Sequence, residues 1–215
     1  MNNTNTQNTS GTSTSDTHTR GVSTPDTRTT GASIHWVTSD LHFFHQNIMK
    51  FSPATRPYTS VEQMHEAIID DWNSKVKKGD IIYHLGDMFF CKTVEEAAGI
   101  IERLNGSIVW LRGNHDYSNI FNELPKLFPN KIRTEVYLEV KYDKQKIIMF
   151  HYPILEWNAC HRGSFHFHGH CHGNINHKNT QGRRIDVGWD SLGSIQKVSD
   201  VLQMLKDKPL TLHHE

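Results

Sequence analysis

Five short segments hold the residues best suited to chemistry: Asp40-Leu41-His42, Gly86-Asp87, Gly113-Asn114-His115-Asp116, His151 and Gly169-His170-Cys171-His172. Together they offer carboxylates, an amide and several imidazoles, each set beside an apolar run. Imidazole mixed with carboxylate is ligand chemistry for a pair of divalent metals of the Mn, Fe, Co, Ni and Zn group, whereas an all-oxygen set would favour Ca or Mg. A hydrolytic centre is the natural reading. Asp40 and His42 stand two apart, as do His170 and His172, so in extended backbone each pair shares a face while Leu41 and Cys171 turn away. Glycines 86, 113 and 169 are expected to let the chain leave each strand sharply. Asn114 and His115 are adjacent and cannot point the same way, which suits an amide oxygen on a metal and an imidazole facing the substrate.

The elements that must position these groups alternate. Ile34 to Thr38 reads as a strand ending at Ser39-Asp40, and Ser60 to Val76 as a helix with apolar Val61, Met64, Ile68, Ile69 and Trp72 near helical spacing. Asp80 to Leu85 is a strand, Thr93 to Leu104 a helix stopped by Asn105-Gly106, and Ser107 to Leu111 a strand feeding Gly113. Glu135 to Val140 and Lys146 to Phe150 read as neighbouring strands joined through Tyr142-Asp143-Lys144. Phe165 to His168 and Arg184 to Val187 are further strands, and Val198 to Leu205 a closing helix. The alternation predicts an α/β domain with a largely parallel first half, and every candidate ligand follows a strand.

In this order, each at a strand end, the motifs resemble those of the calcineurin-like metallophosphoesterase superfamily, across residues 34 to about 190. The resemblance implies a two-sheet β-sandwich flanked by helices, with two divalent ions at one edge. Asp40, His42 and His172 would hold the first ion, Asn114, His151 and His170 the second, and Asp87 would bridge them. His115 would assist the leaving group and Asp116 would orient it. The activity implied is hydrolysis of a phosphate ester by a hydroxide held between the ions, with manganese foremost among the metals and Fe, Zn, Ni or Co able to serve. Two divalent ions, two carboxylates and one hydroxide sum to about +1, so phosphoryl oxygens are drawn to a site on a neutral chain.

Two departures narrow the substrate. The Ser/Thr phosphatases of this superfamily follow Gly-Asp with Asp and Arg three and four residues on, where this chain has Phe90 and Cys91, and Gly-Asn-His is followed here by Asp116 rather than Glu. The chain is more similar to small bacterial and phage phosphoesterases, including the Asp-Leu-His-Phe-x-His form at Asp40 to His45. A small phosphorylated, nucleotide-like molecule is the leading substrate class; a metal-dependent nuclease and a silent metal-binding scaffold for protein contacts are the alternatives. His45, Asn47, Arg56, Arg112 and Tyr152 are the candidate substrate-pocket residues, with a forked phosphate contact expected of Arg56 or Arg112. His35 and His84 lie within strands as core or supporting groups, and His166 and His168 share the facing of His170 if the strand is regular, as supports of the ligands. His161, His177, His213 and His214 read as solvated. One structural zinc site built on Cys160 and Cys171 is disfavoured, because no tight Cys pair exists.

Bulk properties agree. Lys plus Arg number 23 and Asp plus Glu 23, so no net field recruits a membrane or long nucleic acid, and the lysines at 75, 77, 78, 141, 144 and 146 read as solvated faces. Cys91, Cys160 and Cys171 form no CxxC pair, no apolar run is long enough to span a bilayer, and the N-terminus lacks a basic start with an apolar core. A cytoplasmic protein is expected. Residues 1–33 are Thr, Ser, Asn and Gly with hardly an apolar side chain, and Asp16 to Ser23 recurs as Asp26 to Ser33. That segment reads as a disordered tail ahead of one domain spanning 34–215.

Overall fold

The computed structural model describes residues 33–175 and 182–210. All of the tail read over 1–33 except Ser33 lies outside them, as do His177, His213 and His214. The elements follow in the order β1 (His35–Thr38), α1 (Ile48–Phe51), α2 (Val61–Lys75), β2 (Ile81–His84), α3 (Val94–Arg103), β3 (Ser107–Leu111), α4 (Ser118–Leu127) and β4 (Ile132–Glu135). Then come β5 (Tyr137–Tyr142), β6 (Gln145–Phe150), a 3₁₀ turn at Cys160–Arg162, β7 (Phe165–His168), β8 (Arg184–Asp186), α5 (Trp189–Leu192), β9 (Gln196–Lys197) and α6 (Val198–Leu205).

Two mixed sheets face each other, in the orders β4-β3-β2-β1-β9 and β5-β6-β7-β8. β1 to β4 are parallel neighbours, as the alternating pattern requires, while β9 pairs antiparallel with the outer edge of β1. In the second sheet β5 and β6 form a hairpin and β6, β7 and β8 run parallel. Asp143 and Lys144 both carry positive φ, the pattern of a two-residue hairpin turn.

Alternation along the central strands builds two cores. Trp36, Ile82, Ile108 and Trp110 join Met64, Ile68 and Trp72 of α2, Ile100 and Ile101 of α3, and Ile120, Phe121 and Leu124 of α4. Val37, Tyr83 and Val109, one residue out of phase, join Ile147, Met149, Phe165 and Phe167 of the second sheet and Val198, Val201 and Leu205 of α6. The first sheet therefore lies between helices and the second sheet. Ser60 caps α2 by accepting from the Gln63 N–H, and Thr93 and Glu96 form a reciprocal capping box on α3.

Several elements depart from the sequence pattern. The strand expected over Glu135 to Val140 is split: β4 ends at Glu135 in one sheet, and β5 begins at Tyr137 in the other, with exposed Val136 between them. Helix α4 carries Pro125, a helix breaker by pattern, yet burial of Ile120, Phe121 and Leu124 holds it. Short α1 and α5 and the two-residue β9 give too little period to read.

His166 of β7 belongs to the outer face of the second sheet. Its Nδ1–H donates to the Ile148 carbonyl (3.2 Å) and its Nε2 accepts from the Ile154 N–H (3.1 Å), which fixes the neutral ring. Burial pushes its pKa from 6.5 down to about 3. Because the unfolded chain takes up this proton near pH 6.5 and the folded chain only near pH 3, the stability is complete at neutral pH and drains as pH falls through that window. In chelator, the urea midpoint should decline below pH 6.5, and His166→Gln should flatten the decline by up to about 1.4 kcal/mol per pH unit. An unaltered slope in the variant would remove His166 as a source.

Candidate metal centre

Beyond the strand ends the connecting loops run side by side. Asp40 N–H donates to Gly86 O (3.0 Å), His42 N–H to Asp87 O (3.1 Å), Trp189 N–H to Ser39 O (2.9 Å) and Gly169 N–H to His151 O (2.9 Å). These bonds bring segments far apart in sequence to one edge of the sandwich, and all seven expected ligands meet there. Asp40, His42 and His172 place ligand atoms within 4.8 Å of one another, and so do Asp40, Asp87 and His151.

The backbone route differs from the one expected. Asp40, His42, Asp87, His170 and His172 all have left-handed backbone, with φ of 55°, 53°, 56°, 69° and 48°, so the paired ligands do not lie in extended strand. Polar Asp and His tolerate this region better than branched residues do. Gly86 has φ of 103°, as a sharp exit demands, but Gly113 and Gly169 are required for another reason. A Cβ at Gly113 would collide with the Asp87 carboxylate, and one at Gly169 with Ser39 and the Asp40 carboxylate.

The donor atoms are aimed at a common region. His151 Nδ1–H donates to Leu85 O (2.8 Å), which leaves the Nε2 lone pair facing Asp87 Oδ2 at 3.5 Å and Asn114 Oδ1 at 2.9 Å. Burial lowers the His151 pKa, favouring this neutral ring. Lone pairs pointed at one another repel, and a cation where they meet reverses the sign. Asn114 Oδ1 is also 2.9 Å from His170 Nδ1. His42 Nε2 is buried without a hydrogen-bond partner, 3.9 Å from Asp40 Oδ1 and 3.9 Å from Asp87 Oδ2, and burial holds its pKa well below 6.5. Burial, followed by the neighbouring Asp186, holds the Asp40 pKa well above the usual carboxylate range. An orphaned imidazole nitrogen between two buried carboxylates is the donor set of a divalent cation site, and the residues present fit such ions.

His172 is held from behind. Its Nδ1–H donates to Asp190 Oδ2 (2.6 Å), leaving Nε2 for the centre. Burial opposes the charged ring, yet the Asp190 contact keeps the His172 pKa raised; burial likewise works against the Asp190 anion, and His172 and Arg56 bring its pKa down to about 2. Sequence reasoning missed Asp190. Its signal was the Asp186-Val187-Gly188-Trp189-Asp190 run, another acidic strand exit followed by glycine.

Arg56 is corrected from a substrate group to a buried brace. Its Nε donates to Asp190 Oδ1 (2.9 Å), and its Nη1 and Nη2 to the Leu41 (2.9 Å) and Asp40 (2.6 Å) carbonyls, so it clamps the left-handed turn that presents Asp40. Arg112 is likewise engaged elsewhere, bonded to Ser118 Oγ (2.5 Å) and lying over the Phe121 ring. Asp116 accepts from the N–H groups of Asp87, Met88 and Gly113 (3.0, 3.0 and 2.7 Å); it locks two ligand loops together rather than contacting the His115 ring, and burial pushes its pKa up to about 6. Tyr152 packs edge-on against His151 and His170 at the exposed rim. Exposed Asn47 occupies the N-cap position of α1 without a side-chain capping hydrogen bond and is not among the pocket-lining residues.

A pocket of about 440 Å³ opens beside His42, His115 and His172, and His45 lines it. His45 Nδ1 lies 3.3 Å from His42 Nδ1, which leaves His42 Nε2 to face the carboxylates. Of the remaining histidines, His84 supports the Gly86 turn by accepting its N–H (3.3 Å), and His35 meets the Tyr83 hydroxyl (3.1 Å). His166 braces the outer face of its sheet and not the ligands, whereas His168 groups with Cys171 and Asp186 behind Asp40. Cys160 sits in a separate cluster with Ile148 and Trp157, so the two cysteines do not share a site.

A sandwich of two mixed sheets with Asp, His and Asn converging at one edge defines a metal-dependent hydrolase class. The chain belongs to the calcineurin-like phosphoesterase family, whose model matches residues 35–214. It is 35% identical over 140 residues to the uncharacterized protein MJ1445 of Methanocaldococcus jannaschii, covering 65% of this chain and 69% of that one. The Gene 66 protein of Mycobacterium phage D29 is 25% identical over 195 residues, covering 80% of this chain and 96% of that one. Among solved structures, AQ665 from Aquifex aeolicus, a protein of unknown function, shares the fold with a TM-score of 0.62 at 21% identity, covering 80% of this chain and 99% of that one.

Asp190→Asn should weaken binding of divalent metal by about ten- to a hundredfold, because His172 loses the anion that fixes its ring. Chelator competition with Mn measures this; an affinity within twofold of the original would show that the brace is dispensable.

Proposed function

We propose that this chain is a dinuclear-metal phosphoesterase acting on a phosphodiester or phosphomonoester of a small, nucleotide-like molecule. The observation that carries the reading is the convergence of partnerless His42 Nε2 and lone-pair-facing His151 Nε2 on the Asp87 carboxylate, one from each sheet. Asp87 is then the shared ligand, with Asp40, His42 and His172 on one side and Asn114, His151 and His170 on the other. Two divalent ions, manganese foremost, would supply the positive charge that holds phosphoryl oxygens and the Lewis acidity that ionises water near neutral pH.

The chain's own residues do the rest. His115 donates its backbone N–H to Asp87 Oδ1 (2.8 Å), so its position is tied to the shared carboxylate, and its ring makes no side-chain hydrogen bond among the described residues. The exposed ring borders the pocket and can pass a proton to a departing oxygen. Water gives up one proton to solvent and its oxygen joins phosphorus, the ester P–O bond breaks, and a proton carried by the His115 ring neutralises the leaving alkoxide and leaves the ring neutral. Asp116 keeps the Asp87 and His115 loops in register through its three backbone amides. Cys91 and Cys171 carry free thiols, which supports a reducing cytoplasm as the working compartment. No helix among the described residues is long and apolar enough to cross a membrane.

Purified protein supplied with Mn should hydrolyse bis-p-nitrophenyl phosphate, and chelator should abolish the reaction. His115→Ala should retain its metal content and lose about a hundredfold or more in kcat on esters with poor leaving groups. An equal rate in the variant would take His115 out of the chemistry.

A further inference from the structure

The pocket beside the centre has walls of one chemical kind. Phe90 and His45 lie ring on ring, 3.8 Å apart and within 6° of parallel, and the Phe90 ring also reaches His115 at 4.8 Å. Across the opening stands Phe51, 71% exposed at the end of α1 and edge-on to His45, with buried Ile48 at the base. A large apolar ring left that open costs solvation with no structural return, since Phe51 is not a member of either core. No Lys, Arg, Asp or Glu lines the pocket among the described residues, and its remaining polar lining is Ser52 and Asn174. Asn174 spends its amide N–H on the Cys171 carbonyl (2.9 Å), which leaves Oδ1 as an acceptor.

From this we infer that the pocket takes an uncharged planar aromatic group on the leaving side of the phosphoester, seated against Phe51 and the His45–Phe90 stack. The inference rests on the phosphoesterase reading above and adds the substrate class to it. Three observations select the occupant. His115 borders the pocket, so the group lodged there is the one whose oxygen departs. Flat rings at two walls favour a flat partner, by offset or edge-on contact. Among the described residues no Lys or Arg lines the pocket, so a second phosphate or a carboxylate finds no side-chain cation there, which disfavours polyphosphates and phosphoproteins. A pocket of about 440 Å³ is large enough for a single base or aryl ring with its linker.

The test uses full-length Mn-loaded protein and two methyl phosphodiesters, one losing phenol and the other a fluorinated alkyl alcohol of similar acidity. The expected result is a kcat/KM ratio favouring the aryl ester by about tenfold or more. Phe51→Ala should reduce that ratio at least fivefold, and Phe51→Tyr should preserve it. Because the ratio is compared between proteins, intrinsic leaving-group reactivity and any general loss of active protein cancel. A ratio unchanged by Phe51→Ala, or hydrolysis of a nucleoside triphosphate as fast as of the aryl ester, overturns the inference while leaving the phosphoesterase reading intact. If neither these diesters nor the corresponding phosphomonoesters turn over with any metal, that reading fails instead. Calorimetric binding of phenylphosphonate against methylphosphonate to wild type and Phe51→Ala then decides the pocket's preference: equal affinities overturn it, and a phenyl preference lost in the variant upholds it.

Discussion

Two carboxylates, Asp40 and Asp87, are buried within reach of each other and of imidazoles that burial keeps uncharged, and the rest of this edge of the molecule is arranged around that fact. Asp186 and Asp190 lie close behind, and Arg56 is paired with Asp190. Such a concentration of acceptors is unfavourable in a low-dielectric interior unless positive charge enters. Water can donate to these lone pairs, but being neutral it does not offset the charge of two buried carboxylates. Positive charge entering the cluster would lower its free energy, and binding would then be linked to folding.

Holding acceptors against their mutual repulsion takes rigid supports, and the structure provides them in layers. Arg56 grips the carbonyls on the turn that carries Asp40, Asp116 collects three amides from two ligand loops, Leu85 orients His151, and Asp190 orients His172. Each support removes a rotational freedom that a ligand would otherwise lose on meeting a metal. The left-handed backbone at five ligand positions costs roughly 1 kcal/mol apiece and persists because these contacts over-determine it.

The residues that converge at this edge were legible in the sequence because each is polar and placed where an apolar run stops, a pattern that strand grammar and metal chemistry share. Helices α2, α3 and α6 were legible from their period and caps. Legibility failed where a residue's role depends on what lies behind it. Arg56 and Asp190 are 134 positions apart, and nothing local shows that they meet; an arginine near a ligand motif reads as a phosphate contact until its partners are seen. The extended geometry expected of Asp40 and His42 failed for a related reason, since a two-residue spacing fits both a strand and a pair of left-handed turns. Phe90 was visible only as a departure from a phosphatase pattern, and its place in a stack became clear through the fold.

Asp40, His42, Asp87 and Asn114 follow strands of the first sheet, whereas His151, His170 and His172 follow strands of the second. Ions seated among them would rivet the two halves of the sandwich along one seam, opposite in character to the greasy contact that joins their faces. The spacing between the layers, set by side chains such as Val37, Val109, Met149 and Phe167, would then act as a caliper for ionic radius. A methyl group added or removed deep in that interior would retune which metal fits, many residues away from any ligand.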